Sequence, residues 1–296
     1  MEKMIARFGP AGNSESFAAE GFRSSCDAPG WIAARGLDAY EYQCGRGVLV
    51  GEQTAQKIGA AAREFGVALS IHAPYFMNLS NPDEERQRKT VDYVLQSARA
   101  ARAMGADRIV IHSGSLMKRE RHEALAIAKE TLRRVLDAAD DAGFGDITLC
   151  PELMGCVNQL GTLDEVLELC LVDERLIPCI DFGHYNARNF GILTGREAYE
   201  RLLDRMEQVL GFARVRCFHS HFSKIQYSKR SGEVRHLTFA DTEYGPEFAP
   251  LAAAVAARGY TPRFLCESAG TQAEDAATMR DLYRAALREE ERGCVR

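Results

Sequence analysis

The chain has 296 residues, of which 46% are apolar and 27% are charged, and it contains 25 Gly and 9 Pro. This composition excludes a disordered or collagen-like chain and allows a large buried core. The net charge of −5 argues against a protein that coats nucleic acid or membrane surfaces through its overall charge.

The environment of the protein is indicated by its apolar stretches and its cysteines. No apolar stretch reaches the length of a secretory signal or a membrane span. Nine Cys with no Cys-x-x-Cys pair argue against a disulfide framework. We therefore expect a cytoplasmic protein with no membrane association, and the sequence implies no obligate protein partner.

Eight short runs of β-branched and apolar residues alternate with longer segments of helical periodicity. The runs are Met4–Phe8, Ala39–Tyr42, Val67–His72, Arg108–His112, Ile147–Glu152, Leu176–Asp181, Val215–His219 and Arg263–Glu267. This alternation predicts an α/β fold, and eight units predict a single (β/α)8 TIM barrel domain over residues 1–296. A doubly wound open sheet is the alternative, but residues 45–51 only approximate the glycine-rich turn that such a sheet normally has.

Two of the intervening segments carry clear helix signals. The segment Asn81–Glu85 offers a capping side chain, a proline and two acidic residues for a first turn, and Gly105 marks the end of that helix. In the next segment, apolar residues recur every three or four positions from Leu125 to Ala139, and the pattern stops at Gly143. Both patterns predict amphipathic helices that pack on a sheet.

Six of the predicted strands end in a side chain that can bind a metal ion. These residues are His72, His112, Glu152, Asp181, His219 and Glu267. The C-terminal strand ends of a barrel form one rim, so we expect these side chains to converge there. Three more histidines follow the sixth and seventh strands: His184, His221 and His236.

The ligand types and their number indicate the metals. Imidazole nitrogens and carboxylate oxygens without a thiolate suit Zn²⁺ first and Mn²⁺ or Fe²⁺ second. The set is too large for one ion, so it predicts at least two metals bridged by a carboxylate.

At these residues the sequence resembles the endonuclease IV family of apurinic/apyrimidinic endonucleases, over about Leu37 to Thr271. The matching segments are Ser70–Tyr75, Ile111–Ser115, Pro151–Leu153, Cys179–His184, Phe218–Lys224 and Cys266–Ser268. The resemblance implies a TIM barrel with three zinc ions that hydrolyses DNA phosphodiesters 5′ to abasic sites in base-excision repair. Its partner would be damaged double-stranded DNA.

The resemblance also implies how the first two metals are bound. His72, His112 and Glu152 would bind the first zinc ion, and Glu152 would bridge it to a second. The other ligands of the second ion would be Asp181, His219 and Glu267.

The third metal would use His184, His236 and an aspartate two residues before His236, but this chain has Val234 at that position. Three possibilities stay open at this point. Glu233 replaces the aspartate, water takes its place, or the third metal binds weakly.

Further roles follow from the same resemblance. Glu152 and Glu267 would be the catalytic carboxylates. Tyr75 would insert into the duplex at the lesion, and Lys224 would pair with a phosphate.

Two other functions fit parts of this pattern. A xylose isomerase-like sugar isomerase or epimerase would bind one divalent ion through Glu152, Asp181, His219 and Glu267, and would have no use for the other imidazoles. The histidines that discriminate against it are His72, His112 and His236. A barrel that keeps the metals but only binds damaged DNA, having lost hydrolysis with the aspartate, is the third hypothesis.

Overall fold

The computed structural model describes residues 5–293, in which eight strands form one parallel sheet, one for each strand predicted from the sequence. Two further strands form an antiparallel hairpin. In chain order the strands are β1 (Arg7–Pro10), β2 (Ala39–Gln43), β3 (Ala68–His72), β4 (Arg108–His112), β5 (Thr148–Glu152), β6 (Cys179–Asp181), β7 (His219–Phe222), β8 (Ile225–Ser228), β9 (Gly232–His236) and β10 (Arg263–Cys266). The hairpin consists of β8 and β9 and follows β7 directly.

Helices connect the strands and cover the outside of the sheet. They are α1 (Glu15–Ala19), α2 (Ala28–Ala33), α3 (Glu52–Phe65), α4 (Glu84–Met104), α5 (Arg121–Asp141), α6 (Leu163–Cys170), α7 (Phe182–Arg188), α8 (Arg196–Leu210), α9 (Phe212–Val215), α10 (Phe248–Arg258) and α11 (Gln272–Gly293). In the described residues, no helix is both long enough and apolar enough to cross a membrane.

The two helices with clear sequence signals, α4 and α5, are present. The Asp83 side chain accepts a hydrogen bond of 2.9 Å from the Arg86 amide and caps α4. Gly105 ends this helix in the left-handed conformation, with φ of 74°. In α5 the apolar face is buried and includes Leu132 and Val135. These features confirm that both helices form, but Pro82 lies before the N-cap of α4 and not in its first turn as predicted.

The sheet closes into a barrel, which confirms the TIM barrel prediction. Its strand order is β1-β10-β7-β6-β5-β4-β3-β2. Backbone hydrogen bonds join the two ends, from Asp38 N to Phe8 O at 3.0 Å and from Gly12 N to Glu41 O at 2.9 Å. A Cβ atom at Gly9 would lie 1.6 Å from Ala39 O, so only glycine lets β1 approach β2 this closely.

Three strands have a boundary that differs from the predicted one by more than one residue. The largest error is in the seventh strand, predicted at Val215–His219 and observed at His219–Phe222. Residues before it form the short helix α9, in which the Arg214 side chain binds the carbonyl of Cys170. The first strand starts at Arg7, and Met4 lies outside the described residues. The sixth strand is only three residues long.

Alternation along the strands produces two layers of side chains inside the barrel, a rim layer and an inner layer two residues earlier on each strand. Part of the inner layer is apolar, with Val110, Cys150 and Cys179 all 0% exposed. This apolar layer supports the polar side chains at the rim.

Candidate metal centre

Nine histidine and carboxylate residues meet at the C-terminal rim of the barrel, and we call them the rim cluster. They are His72, His112, Glu152, Asp181, His184, His221, Glu233, His236 and Glu267. They line or underlie a cavity of about 290 Å³ that opens to solvent. The cluster combines seven of the predicted site residues with His221 and Glu233.

Glu152 lies at the centre of the rim cluster and is 1% exposed. Its Oε2 atom is 3.2 Å from His72 Nε2 and 3.3 Å from His112 Nε2. Its Oε1 atom is 3.1 Å from His221 Nδ1. One carboxylate therefore faces two separate sets of imidazoles, as a bridging ligand would.

A second group of ligand atoms surrounds the Oε1 side of Glu152. Ligand atoms of Glu152, Asp181, His221 and Glu267 all lie within 4.8 Å of one another. The Oδ2 atom of Asp181 is fully buried and accepts no hydrogen bond from the described residues, although His184 Nδ1 lies 3.3 Å away. A buried carboxylate oxygen without a donor is costly unless a cation satisfies it.

The third group lies where the hairpin of β8 and β9 folds back over the rim. Glu233 Oε2 is 3.3 Å from His184 Nε2, and Glu233 Oε1 is 3.5 Å from His236 Nε2. Val234, which replaces the family aspartate, is 53% exposed and points away from these imidazoles. Of the three possibilities open from the sequence, this arrangement favours Glu233 as the replacement.

Most imidazoles of the rim cluster have one ring nitrogen held by an acceptor outside the cluster. His72 Nδ1 bonds to Ala73 O at 2.7 Å, His112 Nδ1 to Tyr75 O at 3.1 Å, and His184 Nδ1 to Leu153 O at 2.9 Å. A backbone carbonyl can only accept, so Nδ1 carries the proton in all three. Each Nε2 therefore faces a carboxylate oxygen, and the pair is satisfied either by a second ring proton or by a metal ion bound between nitrogen and oxygen.

The spacing of these atoms fits divalent metals. A tetrahedral ion with bonds of about 2.0–2.1 Å holds its ligand atoms about 3.3 Å apart. The nitrogen–oxygen distances around Glu152 and Glu233 are 3.1 to 3.5 Å. The donors are nitrogen and oxygen only, which suits zinc and other first-row divalent ions.

Without a metal, protonated imidazoles have to balance the negative charges of the rim carboxylates. Burial lowers the pKa of the His72 imidazole, but its hydrogen bond and charge interaction with Glu152 outweigh burial and raise that pKa to about 9. Burial raises the pKa of Glu152, but His221, His112 and His72 hold it well below its usual range. The imidazoles around Glu152 thus favour its ionised form, whereas burial raises the pKa of Asp181 in the same cluster.

The structure places His219 in the inner layer rather than at the rim. Because β7 begins at His219, the residue that lies beside Asp181 in the register of β6 and β7 is His221. His219 pairs in register with Cys179 and donates to Glu41 at 2.9 Å. Burial lowers the pKa of His219 to about 4, so it is a neutral imidazole. The histidine of this strand that faces Glu152 and Glu267 is His221.

Glu41 is a site residue that the sequence analysis missed. It is 0% exposed and bonds to both His219 and His221. The available signal was an acidic residue inside an otherwise apolar and aromatic strand, which must find buried donors if its side chain faces inward.

The two predicted substrate contacts differ in where they lie. Tyr75 is 54% exposed at the cavity edge, with its ring stacked 6.3 Å from the His112 ring. Lys224 is 5% exposed, and its ammonium donates to Asp241 O at 2.7 Å and pairs with Glu247 at 2.6 Å. This ammonium already has its partners and does not line the cavity, so we do not retain Lys224 as a phosphate contact.

Comparison with known proteins places this chain in a TIM barrel family. The family model described as xylose isomerase-like TIM barrel matches residues 29–288. An uncharacterised protein of Methanocaldococcus jannaschii is 31% identical over 70% of this chain and 74% of its own length. A probable endonuclease 4 of Nitratidesulfovibrio vulgaris is 25% identical over 63% of this chain and 66% of its own length. The chain therefore spans about two thirds of that endonuclease.

Solved structures share the fold at lower identity. A D-tagatose 3-epimerase-like protein superposes with a TM-score of 0.71 at 18% identity, covering 96% of this chain and 99% of the other. Endonuclease IV from Thermus thermophilus superposes with a TM-score of 0.66 at 19% identity, covering 96% and 99%. Likeness at this level shows the barrel fold in both cases. The resemblance to endonuclease IV noted in the sequence is confirmed by the family model and the probable endonuclease 4.

Proposed function

Because the chain belongs to the xylose isomerase-like TIM barrel family, we propose that it is a metal-dependent hydrolase that cleaves DNA phosphodiesters 5′ to abasic sites. The observation that carries this proposal is the number of ligand groups at one rim. His72 and His112 face one oxygen of Glu152, while His184 and His236 face the two oxygens of Glu233. A sugar isomerase with one divalent ion has no use for these four imidazoles.

The proposed ligand sets follow the three groups of the rim cluster. The first is His72, His112 and Glu152; the second is Glu152, Asp181, His221 and Glu267; and the third is His184, Glu233 and His236. When bound, divalent ions activate water as a nucleophile and neutralise negative charge on a phosphate. Zinc suits these ligands first, and manganese or iron second.

Two carboxylates of the rim cluster have separate roles in the proposed reaction. Glu152 is buried, and its two oxygens face different imidazoles, so its position is determined from both sides. Glu267 is less buried, with 17% of its side chain exposed, and lies at the cavity side of the second group. We assign Glu152 to positioning the reacting groups and Glu267 to accepting a proton from water at the cavity edge.

Surface features of the rim support a nucleic-acid substrate. The exposed Tyr75 ring can stack on a base or replace one at the lesion, where unstacking costs least. Exposed basic side chains follow three different strands: Arg46 after β2, Lys118 after β4 and Arg230 in the hairpin. We propose them as phosphate contacts, even though the net charge of the chain is −5.

Incision of a defined duplex tests this proposal. We expect the purified, metal-loaded protein to nick a duplex 5′ to a single tetrahydrofuran abasic analogue and to leave the undamaged duplex intact. A chelator and Glu152→Gln should each abolish nicking, whereas Glu123→Gln, a change at an exposed glutamate of α5, should not. Binding of the abasic duplex without nicking would instead support a metal-keeping damage-binding protein.

A sugar isomerase or epimerase is the second candidate. It is favoured by the group of Glu152, Asp181, His221 and Glu267, which by itself can bind a single divalent ion. Turnover of ketose or aldose sugars by the same preparation, unaffected by His112→Ala and with no nicking, would transfer the assignment to that class.

A further inference from the structure

Glu41 is a buried carboxylate one layer beneath the rim cluster and has no role in the hydrolysis proposed above. Its Oε1 accepts hydrogen bonds from His221 Nε2 at 2.8 Å and Gln43 Nε2 at 3.3 Å. Its Oε2 accepts from His219 Nε2 at 2.9 Å and Ser70 Oγ at 2.8 Å. Four donors thus point at one buried carboxylate. Only the ionised carboxylate can accept hydrogen bonds from all four.

His221 differs from the other imidazoles around Glu152 in the nitrogen that it presents. His72 and His112 turn Nε2 towards Glu152 and have Nδ1 held by backbone carbonyls. His221 turns Nδ1 towards Glu152, at 3.1 Å, and its Nε2 lies 2.8 Å from Glu41. The proton position on His221 therefore depends on a side chain, which a substitution can remove.

We propose that Glu41 is a positioning residue for the metal centre. By accepting the Nε2 proton of His221, it leaves the Nδ1 lone pair free to bind metal and increases the basicity of that nitrogen. This inference rests on the proposed metal centre but not on its DNA substrate.

The isosteric change Glu41→Gln tests this role because it keeps the volume and removes the charge. In Glu41→Gln, the new amide NH₂ group would face one of the four donors unless an imidazole moved its ring proton to its other nitrogen. If His221 moved its proton to Nδ1, it would lose the lone pair that faces Glu152. We expect the metal at Asp181, His221 and Glu267 to bind about 10–100-fold more weakly, as is typical when the partner of a metal-binding histidine is removed.

Ser70→Ala is the matched control for this change. It removes one donor to the same carboxylate and leaves the hydrogen bond between Glu41 and His221 in place. We expect its metal affinities to equal those of the wild type. The ion bound by His72 and His112 should be unaffected in both variants because those rings are held by the backbone.

The experiment titrates Zn²⁺ against a chromophoric chelator for the wild type, Glu41→Gln and Ser70→Ala, with thermal unfolding of each metal-free chain as the folding check. Loss of affinity in one binding step of Glu41→Gln alone supports the proposal. Equal affinities in all three chains would overturn it while leaving the metal centre intact. A wild type that binds no Zn²⁺ would refute the metal centre, and this inference with it.

A second measurement needs no variant, so it decides the proposal even if Glu41→Gln does not fold. Nitrogen-15 correlation spectra of the zinc-loaded wild type report which ring nitrogen of each histidine carries a proton. The proposal requires His221 to carry it on Nε2 and to bind zinc through Nδ1. The reverse assignment at His221 would overturn it.

Discussion

Glu233→Gln is the substitution that tests the third ligand group most sharply. The Glu233 carboxylate lies between His184 and His236, with nitrogen–oxygen distances of 3.3 and 3.5 Å. The change removes the negative charge and one of the two acceptor oxygens while keeping the shape. It should therefore weaken the third metal and leave the metals at Glu152 in place.

The size of the effect follows from the number of protein ligands at the site. Zinc sites with four protein ligands bind with about 10–16 kcal/mol, which is about 3 kcal/mol for each ligand. Losing most of one ligand of three should weaken binding about 100-fold, at 1.4 kcal/mol for each factor of ten. After dialysis against a competing chelator, we expect elemental analysis to show one metal fewer per chain than in the wild type.

Val234 provides the matched controls because it is exposed and adjacent. Val234→Ala should change neither metal content nor incision. In the double variant with Glu233→Gln, Val234→Asp should not restore the third metal, since its side chain points to solvent. Full metal content in Glu233→Gln, or restoration by Val234→Asp, would refute the assignment of Glu233.

Three further predictions concern other parts of the molecule. Tyr75→Ala should raise KM for the abasic duplex about 5- to 150-fold, since stacking on a base is worth about 1–3 kcal/mol; an unchanged KM in steady-state incision would contradict the assigned contact. Asp83→Ala should lower the free energy of unfolding in urea by about 1 kcal/mol because α4 loses its N-cap. In the metal-free protein the raised pKa of His72 stabilises the fold below pH 6.5, and this contribution is lost as pH rises through about 9. Metal-loaded protein should instead gain stability as pH rises, because its ligands must be deprotonated; unfolding midpoints that follow the same pH trend in both forms would contradict this.

The sequence was sufficient where local patterns determine structure. Strand-terminal His112 and Glu152 could be located because β4 and β5 are regular and end in those residues. The cap at Asp83 and the terminating Gly105 likewise act within a few residues of themselves. Such features depend on backbone preferences that the chain carries locally.

The sequence-based predictions were wrong where strand register or contacts between distant residues determine the position of a side chain. His219 and His221 have the same inward orientation on β7, and only the pairing of His221 with Asp181 in the neighbouring strand places it at the rim. The predicted strand began too early because Val215 and Phe218 are apolar. Both residues are buried, but they lie before β7 and not in it.

Two side chains, Lys224 and Glu233, have partners that lie more than 20 residues away in the sequence. Lys224 is neutralised by Glu247, which lies in the segment before α10. Glu233 turns towards His184 because the hairpin of β8 and β9 shifts its register between Gln226 and Tyr227. Neither contact leaves a periodic signal in the sequence.

The number of divalent ions bound per chain distinguishes a three-metal centre from a single-metal site. Native mass spectrometry of the intact protein, reconstituted with Zn²⁺ after chelation, counts them without reference to any substrate. The arrangement around Glu152 and Glu233 predicts three ions per chain, with two remaining in Glu233→Gln. A single ion in both the wild type and that variant would contradict the proposed metal centre and favour a one-metal sugar isomerase or epimerase.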